Sequence, residues 1–265
     1  MTLIALKHYT KLTFSNDYRK KHQALSKLRN LPRYTPTTIN ILGNELQLID
    51  AASFFSAYKE IFERQIYKFK ALTNEPTIID AGANIGLSVL YFKKLYPKSK
   101  IIAFEPDTTA FKALRKNVHQ FNLSNTELVN KAVWISETVL EFINEGADAG
   151  RISQFEENGN KVQVNTVRLR DYLNQPVDFL KLDIEGAETK VLEDCQDLLA
   201  NVQYLFVEYH SFVDQPHTLS RVIEILSKAG YRFYIDAPVK SHQPFVNHRT
   251  YLNMDLQLNI FAFRR

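Results

Sequence analysis

Glycine and acidic residues recur where predicted strands end, and their spacing suits the binding of a nucleoside. The first such segment runs Asp80-Ala-Gly82-Ala-Asn84-Ile-Gly86. Glycines here let the chain turn tightly, bring the backbone close to a ligand and leave free amides at the start of a helix. Glu105 follows about 20 residues after the turn, and a carboxylate at that spacing accepts hydrogen bonds from both hydroxyls of an adenosine ribose.

The kind of nucleoside is indicated by what the turn lacks. Where a dinucleotide-binding turn has its second glycine this chain has Asn84, so a pyrophosphate cannot approach the backbone closely. Asp80 repels phosphate and attracts the ammonium of a methionine group. These residues favour S-adenosylmethionine over a nicotinamide dinucleotide. The simpler alternative is that Gly82 and Gly86 only make a tight turn and that Asp80 caps a helix.

A second acidic segment, Asp183-Ile-Glu185-Gly186-Ala-Glu188, leaves the fourth predicted strand. Strand alternation puts Asp183 and Glu185 on the same side, and Gly186 permits the chain to leave the sheet. An acid here can orient the donor's amino group or accept a proton from an attacking hydroxyl. A cation site built from these acids is an alternative that we disfavour, so we predict no bound metal. Glu188 is expected to be a first-turn acid that interacts with the helix dipole.

The fifth predicted strand ends in Glu208-Tyr-His210, whose acid and histidine share one side. A histidine with an ordinary pKa of about 6.5 can remove a hydroxyl proton at neutral pH. The alternative is a loop histidine held by hydrogen bonds. We predict that His210 or Asp183 is the general base, with Glu185 as the third catalytic residue. Normal turnover in both alanine variants, with cofactor binding intact, would contradict this assignment.

A mostly parallel sheet must position these residues. From Thr77 onward, short apolar strands alternate with helices, which indicates βαβ units and a sheet covered on both faces. In such a sheet, ligands bind beyond the carboxyl ends of the strands, near the point where the strand order reverses. Strands are predicted at Thr77–Ala81, Lys100–Glu105, Glu127–Trp134, Asp178–Asp183, Tyr204–His210 and Arg232–Asp236, with a terminal antiparallel strand at Leu256–Arg265. Helices are predicted at Gly86–Tyr96, Thr108–Asn122, Ala187–Asn201 and Thr218–Ala229. The fold class is therefore α/β, doubly wound.

Residues 1–75 precede this pattern and are predicted to form an appendage packed on a domain of residues 76–265. Ile39–Ile49 contains two alternating apolar stretches around a Gly-Asn turn and indicates a hairpin. Ser53 is expected to cap a helix whose aromatic stripe faces the core. Within the sheet region, Glu141–Arg151 is expected to be a loop beside the sheet, followed by a strand at Val162–Val167.

The charge of the chain is unevenly distributed. The 265 residues include 33 basic and 29 acidic side chains, for a net charge of +4. Eight of the basic residues and only one acid lie in Met1–Pro36, so the rest of the chain is mildly acidic. We predict that this basic leader is a solvated amphipathic helix. The alternative is a surface that docks to nucleic acid, anionic lipid or an acidic carrier.

The single cysteine and the apolar segments restrict the class of protein further. Cys195 excludes an intrachain disulfide and a cysteine-cluster zinc site, and its place on an apolar helical stripe indicates a core residue. No apolar run approaches the ~18 residues of a membrane span, and the N-terminus does not resemble a signal peptide. We therefore expect a cytoplasmic protein with no transmembrane segment. The sequence gives no basis for predicting the oligomeric state.

Five segments carry a resemblance to a known family: Ile79–Gly86, Ala103–Pro106, Asn130–Trp134, Leu180–Gly186 and Val207–His210. Together they resemble the FkbM-type family of S-adenosylmethionine-dependent methyltransferases, over roughly residues 77–212. The resemblance implies a class I methyltransferase fold and methylation of a hydroxyl on a sugar, glycan or secondary metabolite. It also implies a set of cofactor-binding residues: Asp80, Gly82, Asn84 and Gly86 at the methionine side, Glu105 at the ribose, Ala132 near the adenine and Asp183 at the methyl donor.

The mechanism that the resemblance implies is direct in-line transfer of a methyl group from sulfonium to oxygen, in which the enzyme mainly aligns the reactants. A nucleic-acid methyltransferase that uses the basic leader is one alternative, disfavoured because the chain has no Asn-Pro-Pro-aromatic motif. A nicotinamide-dependent oxidoreductase is another, disfavoured by Asn84. A non-catalytic scaffold is the third. Titration with S-adenosylmethionine and with NAD, followed by thermal stability, separates these alternatives.

Overall fold

The structure is a computed structural model that describes residues 16–144, 150–152, 160–247, 250 and 252–265. Its strands, in chain order, are β1 (Thr37–Ile41), β2 (Asn44–Leu48), β3 (Thr77–Ala81), β4 (Lys100–Phe104), β5 (Thr126–Val129), β6 (Ala132–Trp134), β7 (Val139–Asn144), β8 (Gly150–Ile152), β9 (Asn160–Arg168), β10 (Val177–Leu182), β11 (Val202–Phe212), β12 (Arg232–Asp236) and β13 (Met254–Phe263). The α-helices are α1 (Asn16–Leu28), α2 (Ala51–Tyr58), α3 (Leu87–Leu95), α4 (Thr108–Gln120), α5 (Glu188–Cys195) and α6 (Leu219–Lys228).

Seven of the described strands form the central sheet, in the order β12-β13-β11-β10-β3-β4-β5. The pairs that join β5, β4, β3, β10 and β11 are parallel, whereas β13 runs antiparallel to both β11 and β12. The predicted α/β fold, a doubly wound and mostly parallel sheet with a terminal antiparallel strand, is confirmed. Strand order reverses between β3 and β10, which are neighbours, so a ligand is expected beyond the carboxyl ends of these two strands.

Two predicted elements end earlier than expected because side chains or turns interrupt them. The strand predicted at Glu127–Trp134 is two strands, β5 and β6, which belong to different sheets. Between them, the side-chain amide of Asn130 donates to the carbonyls of Glu105 (2.8 Å) and Pro106 (3.1 Å), which draws the chain away from the sheet. The helix predicted at Ala187–Asn201 ends at Cys195 and is followed by a short 3-10 turn.

The fifth predicted strand is longer than expected at its carboxyl end. The sequence predicts that it ends at His210, whereas β11 continues to Phe212. His210 therefore lies within the strand and is paired with Gln257 of β13. The long antiparallel partner is the physical reason, because it supplies backbone hydrogen bonds to residues beyond the parallel part of the sheet.

Residues 132–168 contain a second sheet, in a region where the sequence predicts a loop at Glu141–Arg151. Strand β7 pairs antiparallel with both β8 and β9, and β6 runs parallel to β9, which makes four strands in the order β6-β9-β7-β8. The prediction of a loop is therefore wrong at both ends of Glu141–Arg151, and the predicted strand Val162–Val167 is confirmed as part of β9. Residues 145–149 of the expected loop lie outside the described part of the chain.

The described part of the segment ahead of β3 contains a helix, α1, and a hairpin. Helix α1 confirms a helix in the basic leader, of which residues 1–15 lie outside the described residues. Strands β1 and β2 pair antiparallel and confirm the hairpin, with Leu42 and Gly43 in the turn. The predicted cap Ser53 is wrong, because Asp50 caps α2 and its carboxylate accepts the backbone N–H of Ser53 at 2.9 Å. Helix α2 then continues without a break as a π-helix at Lys59–Arg64.

Alternate residues of the strands face two separate hydrophobic cores. Ile79 and Leu180 belong to the core that also contains Cys195, which confirms Cys195 as a core residue. Ile78 and Phe179 face the other core, to which the hairpin, α2, α3 and α4 contribute. Residues ahead of β3 thus supply part of the layer that covers one face of the sheet. None of the described helices has the length and apolar character that crossing a lipid bilayer requires.

Candidate active site

A cavity of about 360 Å³ opens at the carboxyl ends of β3 and β10, where the strand order reverses. Its walls come from the turns that follow these two strands, from the end of β11, from α2 and the adjoining π-helix, and from the segment that leads into β13. Five of the residues predicted for the site line it: Gly82, Asn84, Asp183, Glu185 and His210. The structure thus brings together residues that lie more than a hundred positions apart in the chain.

The turn after β3 has an unusual backbone. The φ angle is positive at three alternate residues, 88° at Gly82, 48° at Asn84 and 90° at Gly86. Glycine is also required at position 82 by packing, because a Cβ there would overlap the backbone carbonyl of Asp183. Asparagine tolerates the left-handed conformation better than most residues. The turns that follow β3 and β10 are therefore in direct backbone contact.

Lys181 is a buried cation beneath these turns, and it is not among the residues predicted for the site from the sequence. Its ammonium donates to the carbonyl of Gly82 at 2.7 Å and lies 3.3 Å from Asp80 and 3.1 Å from Asp183. Burial alone would lower the pKa of Lys181, but Asp183 and Asp80 outweigh burial and raise it well above its usual value. The signal was available in the sequence, because a lysine within an apolar strand needs an anionic partner and strand alternation puts Asp183 on its side.

Asp80 lies behind the turn and not in the cavity wall. Its side chain is fully buried, accepts a hydrogen bond from Ser88 Oγ at 2.5 Å and faces Lys181. The Asp80 carboxylate thus faces Lys181 and not the cavity, and its attraction for an ammonium of the ligand stays a prediction. In this structure Asp80 stabilises the turn through Lys181.

Glu105 lies directly behind Asn84. Its carboxylate accepts the backbone N–H groups of Asn84 and Asp107, each at 2.8 Å. Burial raises the pKa of Glu105 to about 7, although the two hydrogen bonds act in the opposite direction. Glu105, Gly86 and Ala132 were all predicted to bind the cofactor, and none of them is among the residues that line the cavity described above.

We expect the Glu105→Gln variant to lose a pH dependence of stability that the native protein has. The carboxyl has a pKa of about 7 in the folded protein against an ordinary value of 4.5. Its protonated form therefore stabilises the fold fully below pH 4.5, and this contribution is lost as the pH rises to about 7. The loss is at most about 3 kcal/mol.

Urea denaturation of both proteins between about pH 4.5 and pH 8 measures this difference. The matched control is Glu127→Gln, which alters an exposed carboxyl on the neighbouring strand. Its free energy of unfolding should follow that of the native protein at every pH. If the free energy of unfolding of Glu105→Gln changed with pH in the same way as that of the native protein, the pKa of Glu105 would not be raised.

His210 lies on the side of the cavity formed by β11, and its side chain is 2% exposed. Its Nδ1 is 3.0 Å from Glu188 Oε1, and its Nε2 is 3.6 Å from Glu185 and 3.8 Å from Glu208. Burial alone would lower the pKa of His210, but the three glutamates outweigh burial and raise it well above its usual value. The assumption of an ordinary histidine pKa is therefore wrong.

Glu188 is the first residue of α5, as predicted, but it does not face solvent. Its side chain is 1% exposed and accepts the backbone N–H groups of Ile184 at 3.2 Å and Gly186 at 3.0 Å. It also holds Nδ1 of His210. Glu188 therefore orders the turn after β10 and orients the histidine, which is more than the predicted interaction with the helix dipole.

Carboxylates predominate in the cavity wall. Burial raises the pKa of both Glu185 and Glu208, and the nearby Asp183 raises them further. Glu208 also accepts a hydrogen bond from the side-chain amide of Gln257. Glu185 has a φ of 54°, a strained conformation that in non-glycine residues clusters at functional sites. This wall suits a ligand that carries positive charge.

The remaining wall comes from residues that sequence reasoning did not assign to the site. Ser53, Ala57, Glu60 and Ile61 of α2 and the π-helix line the cavity. Burial raises the pKa of Glu60, and the nearby Asp236 and Asp183 act in the same direction. Their sequence shows only an aromatic stripe at helical spacing, which is equally typical of a plain core helix. Single-turn π-helical segments are frequent at functional sites.

Comparison with known proteins places these features in a family. A family model described as the methyltransferase FkbM domain matches residues 80–233. The chain is 32% identical over 185 residues to methyltransferase sdnD of Sordaria araneosa. The aligned region covers 55% of this chain and 71% of that protein. It is 25% identical over 226 residues to the 31-O-demethyl-FK506 methyltransferase FkbM of Streptomyces tacrolimicus, covering 71% of this chain and 86% of that one.

A solved structure of a methyltransferase FkbM from Methylobacillus flagellatus KT is also similar. It has 16% sequence identity and a TM-score of 0.49, with 75% of this chain and 46% of that chain covered. This chain thus corresponds to less than half of that protein.

Proposed function

The chain belongs to the FkbM methyltransferase family, and from this premise we propose that it transfers a methyl group to a hydroxyl of a sugar, glycan or secondary metabolite. The observation that carries the proposal is the cavity at the reversal of strand order, because carboxylates from three different elements line it. Oxygen is favoured as the acceptor because the name of the relative from Streptomyces tacrolimicus describes an O-demethyl substrate. Lining by polar and charged groups also suits a hydroxylated acceptor.

S-adenosylmethionine is the cofactor, and the residues present fit it. When bound, it supplies a methyl group that is already activated by a positively charged sulfur. Asp183, Glu185 and Glu208 offer carboxylates that suit its cationic groups, and the lack of a Cβ at Gly82 lets the turns that carry these groups come into contact. Glu105 retains acceptor positions for ribose hydroxyls, since a carboxylate accepts up to about four hydrogen bonds.

The other predicted cofactor residues have supporting roles in this proposal. Gly86 is the N-cap of α3 in a left-handed conformation, so it allows the first free amides of that helix to face the turn. Ala132 is the first residue of β6, close along the chain to Asn130, which holds the turn at Glu105. Asp80 acts through Lys181. We propose Ala132 for the adenine side of the cofactor, as the family resemblance implies.

The main contribution of the protein is alignment of the acceptor with the donor. The paired turns after β3 and β10 are held by Lys181, which limits their movement relative to each other. Asp183 and His210 are the proposed bases, and the base takes the proton from the hydroxyl oxygen as that oxygen becomes a nucleophile. Asp183 is the favoured one of the two, because an imidazolium has no free lone pair with which to accept a proton.

The proposal is tested by binding and by transfer. Calorimetry on the full chain should show binding of S-adenosylmethionine and none of NAD. Transfer of a labelled methyl group should then be measured to a panel of monosaccharides, oligosaccharides and macrolide alcohols, with transfer RNA included. We expect a methyl ether as the product, identified by mass spectrometry. Label in the RNA, or binding of NAD alone, would contradict the proposal.

In the same assay, Asp183→Asn should lower kcat by roughly 100-fold or more, the range expected for loss of a general base. Its affinity for S-adenosylmethionine should change less than kcat does, because the amide keeps the size of the side chain. The control is Asp214→Asn, which alters an exposed aspartate in the turn after β11 and should leave kcat unchanged. Equal turnover in Asp183→Asn and in the native protein would exclude Asp183 as the base.

A further inference from the structure

Three side chains of the cavity wall converge on one point. Asp183, Glu185 and His210 each present one possible ligand atom, and these three atoms all lie within 4.8 Å of one another. A single cation binds protein oxygen and nitrogen atoms at about 2.0–2.6 Å, so its ligand atoms lie up to about 5 Å apart. The spacing of the three atoms therefore matches that around one cation.

The orientation of His210 is an independent sign of a ligand at this point. Its Nδ1 is 3.0 Å from the carboxylate of Glu188, so Nε2 is the ring nitrogen that faces the cavity, and a bound cation displaces the Nε2 proton of the imidazolium. The side chain is 2% exposed, yet no described residue lies within hydrogen-bonding distance of Nε2, since Glu185 is 3.6 Å and Glu208 3.8 Å away. Histidines that bind metals almost always donate their other ring N–H to a carboxylate or carbonyl in this way.

The charges around this point also favour a bound cation. Four carboxylates face it or the histidine that points to it, from Asp183, Glu185, Glu188 and Glu208. Among the described residues, the buried cations paired with these carboxylates are Lys181 and, when protonated, His210. Buried charges are stabilised only when they are paired, so a further positive charge at this point is favourable.

We propose that Asp183, Glu185 and His210 bind a divalent cation, and that this cation holds the hydroxyl oxygen of the methyl acceptor. One imidazole and two carboxylates form a mixed set of donors that suits Mn²⁺ or Zn²⁺. The inference rests on the proposed O-methyltransferase function and adds a Lewis acid to it. It also replaces the prediction, made from the sequence, that no metal binds.

The cation changes the roles of the surrounding residues. A hydroxyl bound to a divalent cation loses its proton more easily, because the cation stabilises the negative oxygen. The O–H bond breaks, its proton passes to the oxygen of the Asp183 carboxylate that does not bind the cation, and the electron pair stays on the hydroxyl oxygen. Asp183 and His210 then act as metal ligands, and Glu188 is a positioning residue that holds the ring of His210.

Titration of the chelator-treated full chain with Mn²⁺, followed by the electron paramagnetic resonance signal of free Mn²⁺, tests the site. We expect one bound Mn²⁺ per chain, and no binding in His210→Ala. Glu188→Gln should bind roughly 10–100-fold more weakly, as is usual when the partner of a metal-binding histidine is lost. The matched control is His119→Ala, an exposed histidine on α4, which should bind as the native protein does.

The fold of each variant is checked by its circular dichroism spectrum and by its urea unfolding transition. If Glu188→Gln does not fold, Glu185→Gln replaces it, since the side chain of Glu185 is less buried, at 19% exposed. The proposal is overturned if the native protein binds Mn²⁺ and Zn²⁺ no more strongly than His210→Ala does. It is also overturned if Glu188→Gln and Glu185→Gln bind Mn²⁺ with the affinity of the native protein.

The two proposals fail in different ways. Full methyl transfer to an alcohol in the presence of chelator overturns the cation site and leaves the proposed function intact. Stoichiometric Mn²⁺ binding that depends on His210, without methyl transfer to any hydroxyl, supports the site and contradicts the function. Transfer that is lost with chelator and restored by Mn²⁺ supports both.

Discussion

The Gly82→Ala variant will be destabilised by about 3 kcal/mol or more and will bind S-adenosylmethionine at least about tenfold more weakly than the native protein. The added Cβ overlaps the carbonyl oxygen of Asp183, which is backbone and cannot rotate away. That backbone is itself held, because the N–H of Asp183 donates to the carbonyl of Ala81 at 3.1 Å. The positive φ of 88° at Gly82 adds strain to any residue with a Cβ. Urea denaturation and calorimetry measure the two effects.

Substitutions at two other glycines separate the effect of backbone strain on stability from the effect of the steric overlap. Gly43 in the hairpin turn has a φ of 92° and no atom within 4 Å of a Cβ, so Gly43→Ala measures backbone strain alone, about 1 kcal/mol. Gly86 has a φ of 90°, and a Cβ there meets the end of the Leu114 side chain at 2.6 Å. Gly86→Ala should fall between the other two variants, because a side chain moves more easily than backbone. An equal loss of stability in Gly82→Ala and Gly43→Ala would show that the two turns do not touch.

Lys181→Met is expected to destabilise the protein by about 3–5 kcal/mol, the usual effect of removing one partner from a buried ion pair. It leaves Asp80, which is fully buried, and Asp183 without their shared cation. It also removes the hydrogen bond to the carbonyl of Gly82. The paired turns should loosen, and the affinity for S-adenosylmethionine should fall with the stability. Thermal and urea denaturation test the first effect, and calorimetry tests the second.

The chain offers a matched control in a second buried lysine. Lys93 donates to the backbone carbonyls of Ser99 and Ser124, each at 2.5 Å, and burial lowers its pKa, opposite to the direction at Lys181. Lys93→Met should therefore destabilise less, by about 1–3 kcal/mol, because it leaves neutral groups without a partner. Adding Asp80→Asn to Lys181→Met should restore part of the lost stability. Equal effects of the two lysine variants, with no restoration, would contradict the ion pair as the cause.

The sequence was sufficient to locate the part of the site that follows the parallel strands. Carboxyl ends of parallel strands meet at one edge, so Gly82 and Asn84 after β3 had to lie near Asp183 and Glu185 after β10. Apolar segments rich in β-branched residues predicted the strands themselves. Asn130 shows the limit of this reasoning, because its side-chain hydrogen bonds to the carbonyls of Glu105 and Pro106 draw the chain away from the sheet. Such a contact depends on the folded neighbours and not on local pattern.

The rest of the site depends on residues that meet only in the folded chain. The pKa of His210 is raised by Glu185, Glu188 and Glu208, which come from a turn, a helix and a strand. No local spacing predicts that three carboxylates surround one ring. Similarly, the aromatic stripe of α2 predicts a buried face, but the side of the sheet that the helix covers is decided by packing. Glu60 therefore reaches the cavity without any sign in the sequence.

The contact between the turns after β3 and β10 also has a consequence for the newly made chain. Lys181 and the carbonyl of Gly82 that it holds are separated by 99 residues. Ribosomes add about 5–20 residues per second, so the glycine turn exists for about 5–20 seconds before its partner is synthesised. During this interval the nascent chain has the first half of the cofactor site and lacks the second. S-adenosylmethionine therefore cannot guide the early steps of folding, and only a chain extended past β10 can capture it.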